Sequence, residues 1–242
     1  MSSPEGRLAE LRDNLAAVRS RIDEGCRAAG RSGQEITLVA VTKFFSVTDA
    51  VLLAELGVTD LGENRDQDAS VKAAELAELT SAAVRWHFLG RLQTNKAKSV
   101  ARYADLVHSV DRQPLADALE DGARRAERPA LDVLVQLSLD DAEAATGRGG
   151  GAADELLRLA DRIAGSDVLR LAGIMAIAPL GGDPDQAFSR LAEVAERLRA
   201  DHPAAGIVSA GMSDDLEAAL RHGATHVRIG TALLGRREQQ FR

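Results

Sequence analysis

Buried strands and amphipathic helices alternate along this chain about eight times, and that alternation restricts the fold more than any other feature. The first strand lies in "ITLVAVTK", where Ile36, Leu38, Val39, Ala40 and Val41 form an apolar run of the kind buried on both faces of a parallel sheet. A helical pattern precedes it over residues 5–29, with Leu8, Leu11, Leu15, Val18 and Ile22 three or four apart. After the strand come helix "SVTDAVLLAELG", strand "VTDLGEN", helix "QDASVKAAELAELTS" and strand "VRWHFLG". Helix "TNKAKSVARYA", strand "LVHSVD", helix "PLADALEDGARRA" and strand "LDVLVQLSL" continue the series. The second half reads as helix "DELLRLADRIAG", strand "LRLAGIMAIA", a long helix to about residue 201 and strand "GIVSAG". Helix "DDLEAALRHG" then leads to a last strand, "THVRIGTALLG".

Each strand but the last is followed by a helix, and no linker or break in composition divides them. Such alternation predicts an α/β fold with a parallel sheet, and eight units in 242 residues predict a closed (β/α)₈ barrel. A doubly wound open sheet is the alternative, but it usually carries fewer strands. The expectation is one barrel domain over residues 1–242, with the helix of residues 1–30 packed on its outside. The glycine-rich "TGRGGG" segment lacks the lysine and spacing of a P-loop and is expected to be a flexible loop.

Composition narrows the function. Net charge is −7 with both signs spread along the chain, and one tryptophan, one tyrosine and five phenylalanines cannot build base-stacking platforms. Nucleic acid is therefore not an expected partner. Cys26 is the single cysteine, so the chain has neither an internal disulfide nor a thiolate metal site, and the five histidines show no ligand spacing. No metal is expected. The polar N-terminus lacks the apolar core of a signal peptide, and no apolar run approaches the roughly 20 residues of a membrane span. The expected location is the cytoplasm, away from any membrane.

In such barrels chemistry sits at the C-terminal ends of the strands. Here those ends carry Lys43, Asn64 in "GEN", the segment "WHFLGRLQTNK", Met175 in "MAIAP", "SAGMSDD" and "RIGTALLG". Closure of the barrel brings Lys43 beside the ends of strands seven and eight. Strand seven runs through Ser209, Gly211 and Ser213 into an expected helix start at Asp214. Hydroxyls and unpaired backbone N–H groups there make an anion site, and Gly230 and Thr231 add close-approaching backbone from strand eight. The bland alternative makes Ser213 or Asp214 only a helix cap.

A lysine nucleophile facing a phosphate cradle suggests a phosphorylated carbonyl compound held as a Schiff base: pyridoxal phosphate, or a sugar phosphate in an aldolase. Phe44, Phe45 and the barrel wall are expected to desolvate the amine. Arg228 discriminates between the two. Two residues before Gly230, its guanidinium is expected along a cofactor ring, where it would leave a pyridine nitrogen unprotonated and weaken the electron sink. His87, beside Trp86, is expected to be a strand histidine with satisfied hydrogen bonds, and the polar "RLQTNK" segment to be a helix start facing the mouth.

The stretches "LVAVTK", "GEN", "WHFLGRLQTNK", "GIMAI", "GMSDD" and "VRIGTALLGRR" together resemble the pyridoxal phosphate homeostasis proteins, single-domain barrels similar to the N-terminal half of alanine racemase. The resemblance implies pyridoxal phosphate on Lys43, Arg228 near the pyridine nitrogen, and phosphate contacts from Ser213, Gly230 and Thr231, with Ser209 or Gly211. It also implies Asn64 and Met175 flanking the ring. Departures from the family pattern, "RDQD" after "GEN" and "SLDDAEAATGRGG" without a lysine before its glycines, fall in loops over the mouth.

Three functions compete at this point. One is a binding protein that holds, buffers and supplies pyridoxal phosphate, with pyridoxal phosphate-dependent apo-enzymes as partners and a monomer or weak dimer as its state. A second is an amino-acid racemase, which needs another acid/base on the opposite cofactor face; the barrel consumes the chain, and the single tyrosine, Tyr103, falls in a helix. A third is a Schiff-base aldolase, which Arg228 disfavours. The carrier reading, without catalysis, is the expectation.

Overall fold

A computed structural model describes residues 4–140 and 149–235. Eight parallel strands close on themselves in chain order: β1 (Thr37–Val41), β2 (Asp60–Glu63), β3 (Arg85–Phe88), β4 (Leu106–Val110), β5 (Leu131–Leu137), β6 (Leu169–Ala176), β7 (Ile207–Ser209) and β8 (His226–Ile229). The seam is the β1–β8 pair, in which Val39 lies opposite Arg228 and Ala40 opposite Ile229. The helices are α1 (Pro4–Ala28), α2 (Val47–Glu55), α3 (Asp66–Leu79), α4 (Ala97–Tyr103), α5 (Gln113–Arg125), α6 (Ala153–Ala164), α7 (Pro184–Asp201), α8 (Leu216–Arg221) and α9 (Thr231–Leu234). Among the described residues, no helix is long and apolar enough to cross a membrane.

Local chemistry sets several boundaries. Ser46 and Asp49 form a reciprocal capping box that starts α2, with Ser46 Oγ accepting from the Asp49 N–H at 3.2 Å. Asp183 caps α7, and Pro184 sits at its first position. Along α1, Leu11, Leu15, Val18 and Ile22 are buried against Leu216 and Leu220 of α8 and Leu233 and Leu234 of α9. Arg7 and Asn14 donate to the Leu234 and Leu233 carbonyls, and Arg21 pairs with Glu217. The N-terminal helix therefore covers the outside of the barrel next to the β1–β8 seam.

Two boundaries differ from expectation. The last expected strand divides: β8 ends at Ile229, and Thr231–Leu234 forms a helical turn capped by Gly230. The helix after β7, α8, starts at Leu216 rather than Asp214, and Asp215 folds back to accept the Met212 N–H at 2.5 Å. In the glycine-rich segment, Thr146–Arg148 fall outside the described residues, as do Arg236 and Arg237 of "VRIGTALLGRR". The described part is not loose: the Gly151 N–H donates to the Gln136 carbonyl, and the Ser138 N–H donates to that of Gly151, pinning the segment on the end of β5.

The outer faces of the strands and the helices share a large apolar layer. The interior is different. It holds a small apolar cluster of Leu106, Leu134, Ala172 and Met175, surrounded by buried polar groups: His87, His108, Ser209, His226 and Arg228. Barrels of this type more often fill that space with branched aliphatic residues.

Candidate functional site

Strand alternation decides where Lys43 goes. Val39 packs against Gly62 inside the barrel, while Ala40 joins the outer layer, so position 43 falls on the inward phase, two residues past the end of β1. Lys43 is half-buried, and its ammonium makes no hydrogen bond or ion pair among the described residues. The following turn is sharp: Phe44 sits at φ 70°, a conformation that costs a non-glycine residue roughly 1–3 kcal/mol. The expected desolvation by the two phenylalanines is corrected here. Phe44 is 53% exposed, and Phe45 packs into the outer apolar layer with the Arg7 guanidinium 5.9 Å from its ring centre. They belong to the opposite side of the turn from the lysine.

A second lysine lies close by in the fold. Lys72 of α3 is buried, donates to the Thr42 carbonyl at 2.8 Å and forms an ion pair with buried Glu63. The Thr42 hydroxyl also donates to Glu63, at 2.8 Å. This knot ties the ends of β1 and β2 together behind Lys43. Glu63 was legible only as part of "GEN", and Lys72 only as a helix lysine.

Across the seam, Arg228 is buried and donates to Ser209 Oγ at 2.7 Å and to the Ala176 carbonyl at 2.9 Å. It forms no ion pair with a carboxylate among the described residues. Burial pulls its guanidinium down to about 10, with Asp215 acting in the other direction, so it is a cation at neutral pH. Ser209 is fully buried, and its hydroxyl is taken by Arg228 and His108. That side chain is therefore not a spare donor for a phosphate, as the sequence reading allowed. Gly211, at φ 91°, has a structural reason of its own: a Cβ there would lie 2.7 Å from that of Ala219. Ser213 is half-buried, its carbonyl held by Arg21 at 3.0 Å, and Gly230 and Thr231 open the α9 turn, whose leading N–H groups lack intrahelical partners.

The histidine of "WHFLG" has both ring nitrogens occupied. His87 Nδ1 meets His108 Nε2 at 2.9 Å, and His87 Nε2 meets Asp60 Oδ1 at 2.9 Å. His108 Nδ1 meets Ser209 Oγ at 2.9 Å. Burial holds His108 well below the usual histidine range, with His87 and Arg228 adding to the effect. Burial likewise brings His226 down to about 4. At the opposite face of the barrel Asp60 lies near Arg85, and Arg85 and Arg170 both reach Asp132. The satisfied reading of His87 holds, but its partner His108 had no sequence signal beyond its inward place in "LVHSVD".

Asn64 follows β2, and Gly90 permits its placement, since a Cβ at Gly90 would lie 2.1 Å from the Asn64 carbonyl oxygen. Asn64 borders a cleft of about 550 Å³ over the ends of β2–β4, lined also by Arg91, Gln93, Lys96 and Arg112. The "RLQTNK" segment thus forms a wall at the mouth, with a short 3₁₀ turn (Thr94–Lys96) leading into α4. Met175 is buried in the interior apolar cluster, opposite Ser209 in the β6–β7 register. β-Strand closure thus brings Lys43, Arg228 and the α9 turn to one end of the barrel, with Asn64 on the neighbouring strand and Met175 deeper inside.

The alanine racemase N-terminal domain family matches residues 7–238. The pyridoxal phosphate homeostasis protein of Mycobacterium bovis is 45% identical, over 98% of this chain and 96% of its own length, and that of Escherichia coli is 38% identical over 95% and 97%. Among solved structures, PipY of Synechococcus elongatus with PLP bound superimposes with a TM-score of 0.80 at 30% identity, covering 93% of this chain and all of that one. Alanine racemase of Clostridium difficile, at 16% identity and a TM-score of 0.68, shares the fold over 61% of its length. Matched nearly end to end by relatives of the same barrel, the chain belongs to the pyridoxal phosphate homeostasis protein family, built on the alanine racemase N-terminal domain.

Proposed function

We propose that this protein binds pyridoxal 5′-phosphate as a Schiff base on Lys43 and acts in the cytoplasm as a carrier that buffers and supplies the cofactor. The observation that carries the reading is the β1–β8 seam, which brings an inward lysine without a partner among the described residues to the same mouth as a buried guanidinium without a carboxylate. The donor set suits the cofactor: an amine for its aldehyde, a cation for its ring nitrogen, and hydroxyl and N–H groups for its phosphate. PipY, with PLP bound, supports the assignment at 30% identity.

When bound, pyridoxal phosphate supplies an electrophilic aldehyde and an electron sink. Lys43 would offer its amine to that aldehyde and hold the cofactor covalently. Arg228 would direct its remaining N–H groups at the ring nitrogen and, as a cation, would keep a proton off it. Ser213, Gly230 and Thr231, with the Gly211 backbone, hold the phosphate, and Asn64 and Met175 border the ring. Tyr103 supports the carrier reading over a racemase: it lies between the barrel wall and its helices, and burial beside Asp66 and Glu63 pushes its phenol up, away from acid/base use.

The test is reductive trapping. Wild-type protein loaded with pyridoxal phosphate is expected to be yellow and, after borohydride, to carry a fixed adduct on the peptide containing Lys43. Lys43→Ala is expected to lose both and still bind the cofactor weakly, with Ser213→Ala plus Thr231→Ala reducing what remains. An adduct on Lys72, Lys96 or Lys98 overturns the site.

A further inference from the structure

Arg228 is joined to the far face of the barrel by an unbroken line of buried hydrogen bonds: Arg228 to Ser209 at 2.7 Å, then Ser209 to His108, His108 to His87 and His87 to Asp60, each at 2.9 Å. Every group between the ends is inaccessible to water: Ser209 and His108 are fully buried, and His87 nearly so. Asp60, at the first position of β2, is the partly exposed end.

The direction of this chain follows from donor chemistry. An ionised carboxylate only accepts, so His87 Nε2 carries the hydrogen that faces Asp60. In the uncharged ring Nδ1 is then the acceptor. The facing His108 Nε2 must therefore be the donor, which leaves His108 Nδ1 as an acceptor. Only the Ser209 hydroxyl can supply it. The Ser209 oxygen is left to accept from Arg228, whose guanidinium can only donate. With both rings uncharged each assignment forces the next, and all hydrogens point from Arg228 toward Asp60. The neighbouring contacts agree: His226 is bonded to Thr225 rather than to the chain, and the exposed Arg85 meets Asp60 only at 3.8 Å.

We infer that Asp60, His87 and His108 are positioning residues for Arg228. Through a one-way hydrogen-bond chain they fix which guanidinium N–H groups are spent inside the barrel and which remain for the ligand. The chain also places the counter-charge of Arg228 at the opposite face of the barrel instead of in contact with it. A ligand atom at the mouth then meets a guanidinium held in one orientation and not ion-paired with a carboxylate among the described residues. Polarised chains of this kind strengthen along their length, so a change at one end is felt at the other. The bearing on the cofactor rests on the pyridoxal phosphate reading; the direction of the chain does not.

Two measurements separate these. In ligand-free protein at pH 7, ¹⁵N NMR of the imidazoles is expected to show His87 and His108 both neutral with hydrogen on Nε2; hydrogen on Nδ1 of either, or an imidazolium, overturns the direction. In protein loaded with pyridoxal phosphate, Asp60→Asn and His108→Phe are expected to displace the cofactor's absorption maximum and to weaken its affinity about fivefold, the scale of one net hydrogen bond. Asp132→Asn, on the same face but outside the chain, is the control and should leave the spectrum unchanged. Wild-type spectra in both chain variants, or an equal displacement in the control, overturn the positioning role. Failure of wild type to bind the cofactor sinks the functional reading instead, and the NMR result still decides the chain.

Discussion

The Lys72 ammonium donates to the Thr42 carbonyl at 2.8 Å, so the backbone one residue before Lys43 is tied to a buried ion pair. Lys72 and Lys43 are thus two lysines near one strand end with opposite circumstances. One is spent on Glu63 and a carbonyl; the other has no partner among the described residues.

Removing Lys72 alone strands a buried carboxylate. Lys72→Met is expected to cost about 3–5 kcal/mol, since it leaves the buried Glu63 carboxylate without its cation. The melting temperature should fall by about 10 °C at this chain length. Adding Glu63→Gln should recover much of the loss. Equal melting of the single variant and wild type would show that the pair contributes nothing.

Changing the sign of charge at Arg228 is expected to alter the bound cofactor more than its retention. In Arg228→Glu a carboxylate faces the pyridine nitrogen, favours its protonation and strengthens the electron sink. A displaced spectrum and new side reactions with amino acids are the expected outcomes. An unaltered spectrum with pyridoxal phosphate bound places Arg228 away from the ring.

Stability should decline in mild acid. Burial depresses His226 to about 4 and takes His108 well below the usual range, so the unfolded chain takes up protons that the folded barrel refuses. Stability conferred by the neutral rings is complete above about pH 6.5 and is lost as pH falls toward 4, with His226 alone accounting for about 3 kcal/mol. Asp60 adds to the decline at lower pH: burial raises its carboxyl, but the hydrogen bond from His87 leaves it net below the ordinary value. Urea unfolding of ligand-free protein between pH 7.5 and 4.5 measures this, and a flat profile contradicts it.

No racemisation of free amino acids is expected, because the one tyrosine is half-buried on the outer side of the barrel wall and no second proton donor is assigned to the mouth. L-alanine and other common L-amino acids, incubated with loaded protein, should yield no D-isomer. Lys43-dependent turnover near 1 per second or faster would contradict the carrier reading.

Much of the candidate site's placement was readable because strands have a period of two. Lys43 and Arg228 stand at strand ends, and their residue types announce their chemistry. What escaped was everything whose partner is distant in sequence. His108 and Ser209 are 101 residues apart, and Glu63 finds its cation one helix away. Nothing in "LVHSVD" distinguishes a histidine hydrogen-bonded across the barrel from one that merely fills space. Gly230 misled in the other direction, since "RIGTALLG" carries apolar residues that suit a strand as well as a helical turn.

The amino-acid sequence alone determined the eightfold alternation, the closed parallel barrel it implies, and the lysine and arginine that mark its mouth. These depend on local periodicity and residue type, which are properties of short stretches. Tertiary structure alone decided that Ser209 turns its hydroxyl to Arg228 and His108, that Phe44 and Phe45 leave Lys43 rather than shield it, and that four hydrogen bonds join Arg228 to Asp60. The physical reason is that donor and acceptor assignments inside a barrel are set jointly: each buried polar atom must be satisfied by groups from other strands, and closure determines which ones come within reach.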